Sequence, residues 1–596
     1  MGSQGNCLVN TREGGEAFQI CARFFDFSIF FSFARARGVF FRSGSKRKND
    51  KVIAKTARLV GGAGTGKTTE LLRIMSGAKS KLGGSPFALG FTSFTRAARA
   101  EAVDRASSDW KVSTETLSKD GWFRTVHSIA HRQLGIQKGE LLDSSKESAQ
   151  WIADALGVSV RTIIDDDTGQ CSYTGDRIAA SALSAWELSR ARMEPLSTTV
   201  HRLARFDENL PSYDACKKIV DKYEQQKMLH GRFDFSDLLA RFSGASFTTD
   251  GFEDIQPEGE LPPSVKAWVM DEQQDASALV DRCCRRLASG DGVQWVYIAG
   301  DPMQSIFGFG GSDSRHFMSW DVEKQRVMPK TWRCPKPIHE LGEACLRRMR
   351  EGYWDREIAP ADHDGEVCRG GFAESVAASL SPTDETLILA RCNYLCEEWQ
   401  AILARRNIPF AKLKAKGATE VLRACNALWD IEHGKCAGAE DFAAAVGLLP
   451  ATGNMRRGAK AEWGREDTWR RWEGVMAEDL EDAGFKPEFA ARILKGDWGR
   501  LFTGGERWRN AAAKYGPEIA TKPAIRIGTI HAAKGMEADN VILSTSITKR
   551  IHESQRADKD QYDEERRVEY VGVTRARRTL TLANDMTAQY RMRIPL

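Results

Sequence analysis

Residues Gly61-Gly62-Ala63-Gly64-Thr65-Gly66-Lys67-Thr68 fill the pattern G-x-x-x-x-G-K-[ST] at every defined position, and no other stretch constrains the fold as much. The apolar run Ala57-Arg58-Leu59-Val60 reads as a short buried strand, and Thr69 to Met75 as an amphipathic helix. The glycines therefore fall where a strand passes into a helix. Glycine lets the backbone approach an anion and turn successive N–H groups inward, while the helix N-terminus adds partial positive charge. The expected occupant is a nucleotide phosphate cradled by Gly61 through Thr69, with Lys67 reaching the β- and γ-phosphates and the Thr68 hydroxyl ligating Mg²⁺. The implied fold class is α/β.

At 596 residues the chain has enough length for several domains. Its 42% hydrophobic and 28% charged residues are those of an ordinary globular protein. A formal charge of +5 neither requires nor excludes a nucleic-acid partner at this length, so local placement must decide. The 13 cysteines are scattered and lack C-x-x-C spacing, which favours free thiols in a reducing, cytoplasmic setting over a disulfide framework or zinc site. The adjacent Cys283 and Cys284 read as buried helix residues.

Residues 1–50 form an N-terminal extension with the aromatic run Phe24 to Phe33 followed by Arg35, Arg37, Arg42, Lys46, Arg47 and Lys48. The run is short and interrupted by Asp26, whereas a bilayer span takes about 20 apolar residues. No small-residue cleavage site follows it, and Asn6 stands where myristoylation expects Ser or Thr. A packed aromatic strand and an interaction segment stay open as alternatives to a loosely specified extension. No membrane partner is expected.

Phe87 to Phe91 reads as a second strand, and the loop after it carries Phe94, Thr95 and Arg96. Together they offer a stacking face, a hydroxyl and a cation, as a nucleic-acid strand requires, with a helix cap and buried Phe as the alternative. His127 lies in a further polar loop, Thr125 to Ser128. Residues from about His131 to Leu229 read mainly helical, with Trp151, Leu156, Trp186 and Leu188 in their core, and Asp234 or Ser236 as the next N-cap.

The apolar run Ala267-Trp268-Val269-Met270 ends in Asp271 and Glu272. Asp271 can hold Mg²⁺ through water, and Glu272 can orient and deprotonate a water attacking the γ-phosphate. A fourth strand, Trp295 to Ala299, leads into Gly300-Asp301-Pro302-Met303-Gln304-Ser305-Ile306-Phe307-Gly308-Phe309. Gln304 can bond the γ-phosphate or its water. Phe307 and Phe309, in a glycine-rich loop that favours exposure, can stack bases.

The ordered series GGAGTGKT, SFTRAA, TVHS, DEQQD, GDPMQSIFGF, Thr331-Trp332-Arg333, Thr529-Ile530-His531-Ala532-Ala533-Lys534-Gly535-Met536-Glu537 and Tyr570-Val571-Gly572-Val573-Thr574-Arg575-Ala576 resembles the UvrD/Rep/PcrA family of superfamily 1 helicases. The resemblance implies two RecA-like parallel-sheet P-loop domains, 1A and 2A, with two mainly helical inserted domains, 1B and 2B. The implied division is 51–130 and 230–320 for 1A, 131–229 for 1B, 321–418 and 519–596 for 2A, and 419–518 for a compact 2B. Strand-like runs at Glu385–Ala390, Ile525–Gly528, Asn540–Leu543 and Thr579–Leu582 can build the second sheet.

By the same resemblance Arg333 and Arg575 reach ATP from the far domain, Trp332 lies against adenine and Glu537 meets the ribose. Lys67, Asp271, Glu272 and Gln304 complete the catalytic set, and His531 joins Phe94, Thr95, Arg96, His127, Phe307 and Phe309 as DNA contacts. The implied activity is a DNA-dependent ATPase and helicase moving 3′-to-5′ on single-stranded DNA and at single-strand/duplex junctions, with ATP and Mg²⁺. A translocase that displaces proteins without unwinding, and a nucleotide-switched DNA-binding scaffold, stay as rival readings. A fused nuclease is not expected, since the chain ends about twenty residues after Arg575 and a nuclease domain takes ~100 residues or more. Repair and replication are both compatible. One departure bears on the base pocket: no glutamine occurs between Gln19 and Gln133, so the family's upstream adenine-reading glutamine has no counterpart. The Trp469, Trp472, Val475, Met476 spacing reads as a buried helix stripe, not a DNA contact.

Overall fold

The computed structural model describes residues 54–164, 171–207, 210–413, 418–584 and 589–595, so the readings for residues 1–50 lie outside the described residues. Two six-stranded parallel sheets organise the chain. The first uses β1 (Lys55–Val60), β2 (Leu89–Ser93), β3 (Trp122–Phe123), β4 (Ala267–Asp271), β5 (Trp295–Gly300) and β6 (Lys324–Val327), in the order β6-β1-β5-β4-β2-β3. The second uses β7 (Glu366–Phe372), β8 (Thr386–Ala390), β9 (Ala411–Lys412), β10 (Ile525–Thr529), β11 (Ala538–Ser544) and β12 (Ala576–Asn584), in the order β7-β12-β11-β8-β10-β9.

The inner strands of each sheet are mainly apolar because helices cover both faces. Every residue of β2, β4 and β8 is buried. Parallel pairing has a functional consequence: all C-terminal strand ends lie along one edge, which is where such sheets bind ligands. The phosphate loop follows β1, Asp271 and Glu272 close β4, and Asp301 and Gln304 follow β5, so all three motifs share that edge.

Two helical segments interrupt the sheets. The first holds the helices Lys146–Leu156, Arg177–Arg192, Leu196–Ala204 and Tyr213–His230, with an antiparallel hairpin, Val160–Ile164 against Cys171–Gly175. The second, from Ala418 to Thr521, packs its own core around Trp463, Trp498 and Trp508. Leu156, Trp186 and Leu188 are buried as expected, and Trp151 packs half-buried on the same cluster as Leu156. Cys283 and Cys284 are both buried on one helix, Ala278–Ala288, and the cysteines of the described residues are free. Among the described residues no helix is long and apolar enough to cross a membrane.

Three features differ from the sequence reading. The hairpin interrupts the helical stretch. Strand β6 pairs with β1 although it lies past residue 320, so the first sheet reclaims chain from the far side of the expected boundary. The Trp469–Met476 stripe packs inward but is not one helix: a helix covers only Glu466–Trp469, and Val475 bridges to Ala437. Gly474 explains the break, because a Cβ there would lie 2.3 Å from Cys436 Sγ, so the chain crosses that point closely and extended.

Where the first helical segment meets the helix Phe235–Ser243, opposite charges are sealed together. Arg190 Nη2 lies 2.9 Å from Asp234 Oδ2, and Lys227 Nζ lies 2.8 Å from Asp234 and 2.7 Å from Asp237. Asp234 also caps that helix, accepting from Asp237 N. Removing one partner strands the others without water. Asp234→Asn, which keeps size and cap but loses the charge, should cost about 3–5 kcal/mol, read as a lowered midpoint in chemical denaturation. An unchanged midpoint would show that the network contributes nothing net.

Candidate active site

The phosphate loop leaves β1 and enters the helix Lys67–Lys81 through Gly64 and Gly66, whose φ angles of 68° and 79° belong to the left-handed region. Gly64 is doubly required, since a Cβ there would lie 2.3 Å from Arg333 Cβ. Lys67 Nζ pairs with Glu272 Oε1 at 2.9 Å. Glu272 is one of few non-glycine residues at positive φ, 55°, which turns its side chain from the end of β4 toward the lysine. Its other oxygen accepts from Gln274 Nε2, which also bonds Asp275 Oδ2 at 3.0 Å.

The electrostatics of this end of the sheet are those of closely held, opposed charges. Burial and the neighbouring Glu272 push Asp271 up to about 7. For Glu272, burial acts against the carboxylate but Lys67 and Lys534 more than offset it, bringing it down to about 2. Burial likewise works against the Lys67 ammonium, and Glu272 and Asp271 outweigh it, so the net shift is upward.

The other half of the chain closes over the loop. Thr331 Oγ1 donates to Ala63 O at 2.7 Å, Trp332 N donates to Gly64 O at 2.8 Å, and the phenol of Tyr570 accepts from Ala63 N at 3.3 Å. Trp332 is 67% exposed beside Gly66, with Lys330 Nζ 5.0 Å from its ring centroid. Arg333 Nε bonds Glu537 Oε2 at 2.6 Å, and Glu537 also meets Arg577. Arg575 is buried, bonding the carbonyls of Val571 at 2.9 Å and Met536 at 3.1 Å, and among the described residues no carboxylate pairs with it. Burial and Arg333 push it down to about 9, the signature of a cation lacking its anion. Lys534, from the loop after β10, bonds Asp275 and, at 2.6 Å, Gln304 O.

The structure thus brings Lys67, Asp271, Glu272, Gln304, Arg333 and Arg575 to one cleft between the two sheets, with Trp332 and Glu537 at its rim. Gln274, Asp275, Thr331 and Tyr570 are contacts that the motif roles omitted, although all four lie inside the quoted motifs. Arg356, paired with Asp301 at 2.6 Å, carries no motif signal at all.

Comparison with known proteins agrees with this geometry. A model of the UvrD/REP helicase N-terminal domain matches residues 44–325, and a model of the UvrD-like helicase C-terminal domain matches residues 513–585. The chain belongs to the UvrD/Rep-like helicases. Among its relatives are proteins named ATP-dependent DNA helicase UvrD2 from Mycobacterium bovis and Mycobacterium tuberculosis. They are 26% identical over 577 residues, covering 88% of this chain and 76% of the relative. Membership makes the chain a DNA helicase that works with ATP and Mg²⁺ and binds DNA.

The residues present fit that cation. Asp271 Oδ1 accepts from Glu272 N at 2.8 Å, leaving its second oxygen, and the Thr68 hydroxyl opens the helix beside Lys67. These are hard oxygen donors in a buried acidic corner, as Mg²⁺ prefers.

Of the DNA-facing residues expected in this UvrD/Rep-like helicase, Phe94, His127, Phe307, Phe309 and His531 line one cavity of about 1050 Å³. Phe309 is 61% exposed. Phe307 is a correction: it lines the cavity but is 5% exposed, packed on Phe94 at 5.6 Å and under Lys534 at 5.0 Å, so it is not the exposed stacking ring the glycine-rich loop suggested. Thr95 is spent as the N-cap of the helix Arg96–Trp110, accepting from Ala98 N at 3.1 Å, which is the alternative reading of that loop. Arg96 is exposed outside the cavity lining. Burial and Arg96 push His127 down to about 4, so at neutral pH its ring is uncharged.

The close packing of Gly64 gives a test. Gly64→Ala meets both a left-handed backbone and Arg333, and the strain of ~1–3 kcal/mol should weaken binding of a fluorescent ATP analogue by roughly tenfold or more. Wild-type affinity in this variant would refute the fit described.

Proposed function

We propose that the protein steps along single-stranded DNA by closing and opening this cleft around ATP, moves 3′-to-5′, and unwinds duplex at single-strand/duplex junctions. The observation that carries the reading is the convergence on one phosphate loop of a general-base candidate from the first sheet and two arginines from the second half. Domains 1A, 1B, 2A and 2B follow the division given above, save that 1A also takes in β6. Free cysteines support a reducing, cytoplasmic setting.

Thr68 and Asp271 would hold Mg²⁺, which would supply positive charge to offset that of the nucleotide phosphates. Lys67 leaves Glu272 for those oxygens, since a phosphate anion in the loop competes for the same ammonium. Glu272, released from that pair, accepts a proton from water as the water oxygen bonds to the γ-phosphorus. The bond from the γ-phosphorus to the bridging oxygen breaks, and ADP keeps that electron pair. Arg333 and Arg575 neutralise charge on the transferred group. The buried Arg575 gains most, because its desolvation is already complete.

Movement follows from shared contacts. Lys534 bonds the Gln304 carbonyl, and Gln304 lies three residues from Phe307, so changes at the phosphate reach the cavity of Phe309 and His531. The lack of an upstream glutamine leaves Trp332 as the base-facing group, which supports stacking over strict adenine selection. A translocase without unwinding shares this motor and separates from it only by strand release.

Glu272→Gln should retain ATP binding and lose roughly 10²–10⁴-fold in DNA-stimulated turnover. Duplexes with 3′ or 5′ single-stranded tails, followed for strand release and phosphate release together, should show release from the 3′ tail. Full turnover by the variant, or no stimulation of the parent by single-stranded DNA, would overturn the reading.

A further inference from the structure

Asp301 is the centre of a buried hydrogen-bond set to which the motif roles assign nothing. It follows β5 and is fully buried. Its oxygens accept from Arg356 Nη1 at 2.6 Å each, from Gln304 Nε2 at 2.8 Å and from Met303 N at 3.1 Å. Arg356 comes from the far side of the cleft, after the helix Lys336–Leu346. Its other nitrogen donates to Glu343 Oε1 on that helix at 2.6 Å, and its guanidinium lies 5.2 Å from the Tyr570 ring centroid. A Cβ built on Gly62 would lie 3.7 Å from Arg356 Nη1, so the guanidinium borders the phosphate loop.

The set decides which way Gln304 presents its amide. A carboxylate offers acceptors only, and pairing with a guanidinium keeps both Asp301 oxygens in that role. The Gln304 NH₂ must therefore face Asp301, because the flipped amide would place oxygen against oxygen. Gln304 is 8% exposed, and its Oε1 accepts from no group among the described residues. An acceptor oxygen left open has a chemical preference: it takes a hydrogen from water and repels phosphate oxygens.

We infer that Asp301 and Arg356 are positioning residues that lock Gln304 as a hydrogen-bond acceptor toward the attacking water, so that contact between the two halves of the chain through Arg356 sets the alignment of the nucleophile. The inference rests on the ATP-hydrolysis reading above. It gives Gln304 a water-orienting role instead of a direct γ-phosphate contact, and makes that role conditional on Arg356 being docked.

The test uses the full chain and single-stranded-DNA-stimulated ATP turnover. Asp301→Asn lets residue 301 offer its own NH₂, freeing Gln304 to flip, and Arg356→Met removes the guanidinium. Each should lower kcat by roughly tenfold to a hundredfold with KM for ATP nearly unchanged, whereas Arg356→Lys, which keeps a cation on Asp301, should restore much of the loss. In a Gln304→Ala background, neither Asp301→Asn nor Arg356→Met should lower kcat further. Thermal melting identifies any variant that fails to fold, and Arg356→Lys with Asp301→Asn then carry the test. Additive losses in the Gln304→Ala background, or a raised KM with kcat unchanged, would overturn the inference while leaving the hydrolysis reading intact. A wild-type chain without stimulated turnover would overturn both.

Discussion

The hydrogen bond from Trp332 N to Gly64 O is the constraint from which the site follows. A phosphate loop is a strained, glycine-dependent turn whose main-chain groups need partners. Here three of its main-chain groups are taken by residues from beyond β6: Gly64 O by Trp332, Ala63 O by Thr331 and Ala63 N by Tyr570. The loop is held in shape by residues of the second half of the chain. Phosphate and Tyr570 draw on the same kind of donor, so filling the loop and repositioning the second half are chemically linked.

The charges obey the same logic. Lys67, Glu272 and Asp271 form a buried group whose members hold each other's protonation apart. Across the cleft Arg575 is the inverse case, a buried guanidinium satisfied by carbonyls. A desolvated charge without a partner is costly, by several kcal/mol after relaxation, and that cost is relieved when an anion enters. The site is poised for a polyanion because Arg575 is already dehydrated and Glu272 already holds Lys67 at the loop.

The placement of most candidate site residues was legible in the sequence because they lie at strand ends, where motif and fold coincide. The four strands read in the first half and the four in the second all take their places in the two sheets. The missed strands, β3, β6, β7 and β9, are short or part-exposed edge segments whose apolar pattern is too weak to read. Phe307 shows the converse: a glycine-rich loop suggests exposure, but Phe94 and Lys534, distant in sequence, cover it. Arg356 was invisible for the same reason. It has no periodic neighbour or motif, and its meaning comes only from the buried carboxylate that folding places opposite.

The helix Lys559–Val573 explains how these parts act together. Near its start Glu564 Oε1 accepts from Gly308 N at 2.9 Å, and one turn on Arg567 Nε donates to Ser305 O at 2.7 Å. Near its end Tyr570 touches Ala63, and Arg575 follows two residues past the helix end. Gly308 has no room for a side chain, since a Cβ would lie 2.4 Å from Glu564 Oε2. A single helix therefore grips both the phosphate loop and the segment that runs from Gln304 to Phe309. Helices transmit displacement along their length more faithfully than loops, because bending them disrupts a ladder of hydrogen bonds. A displacement of Tyr570 would be carried along this helix to Gly308, directly beside the exposed ring of Phe309, which links the sheet edge at the phosphate loop to the cavity wall.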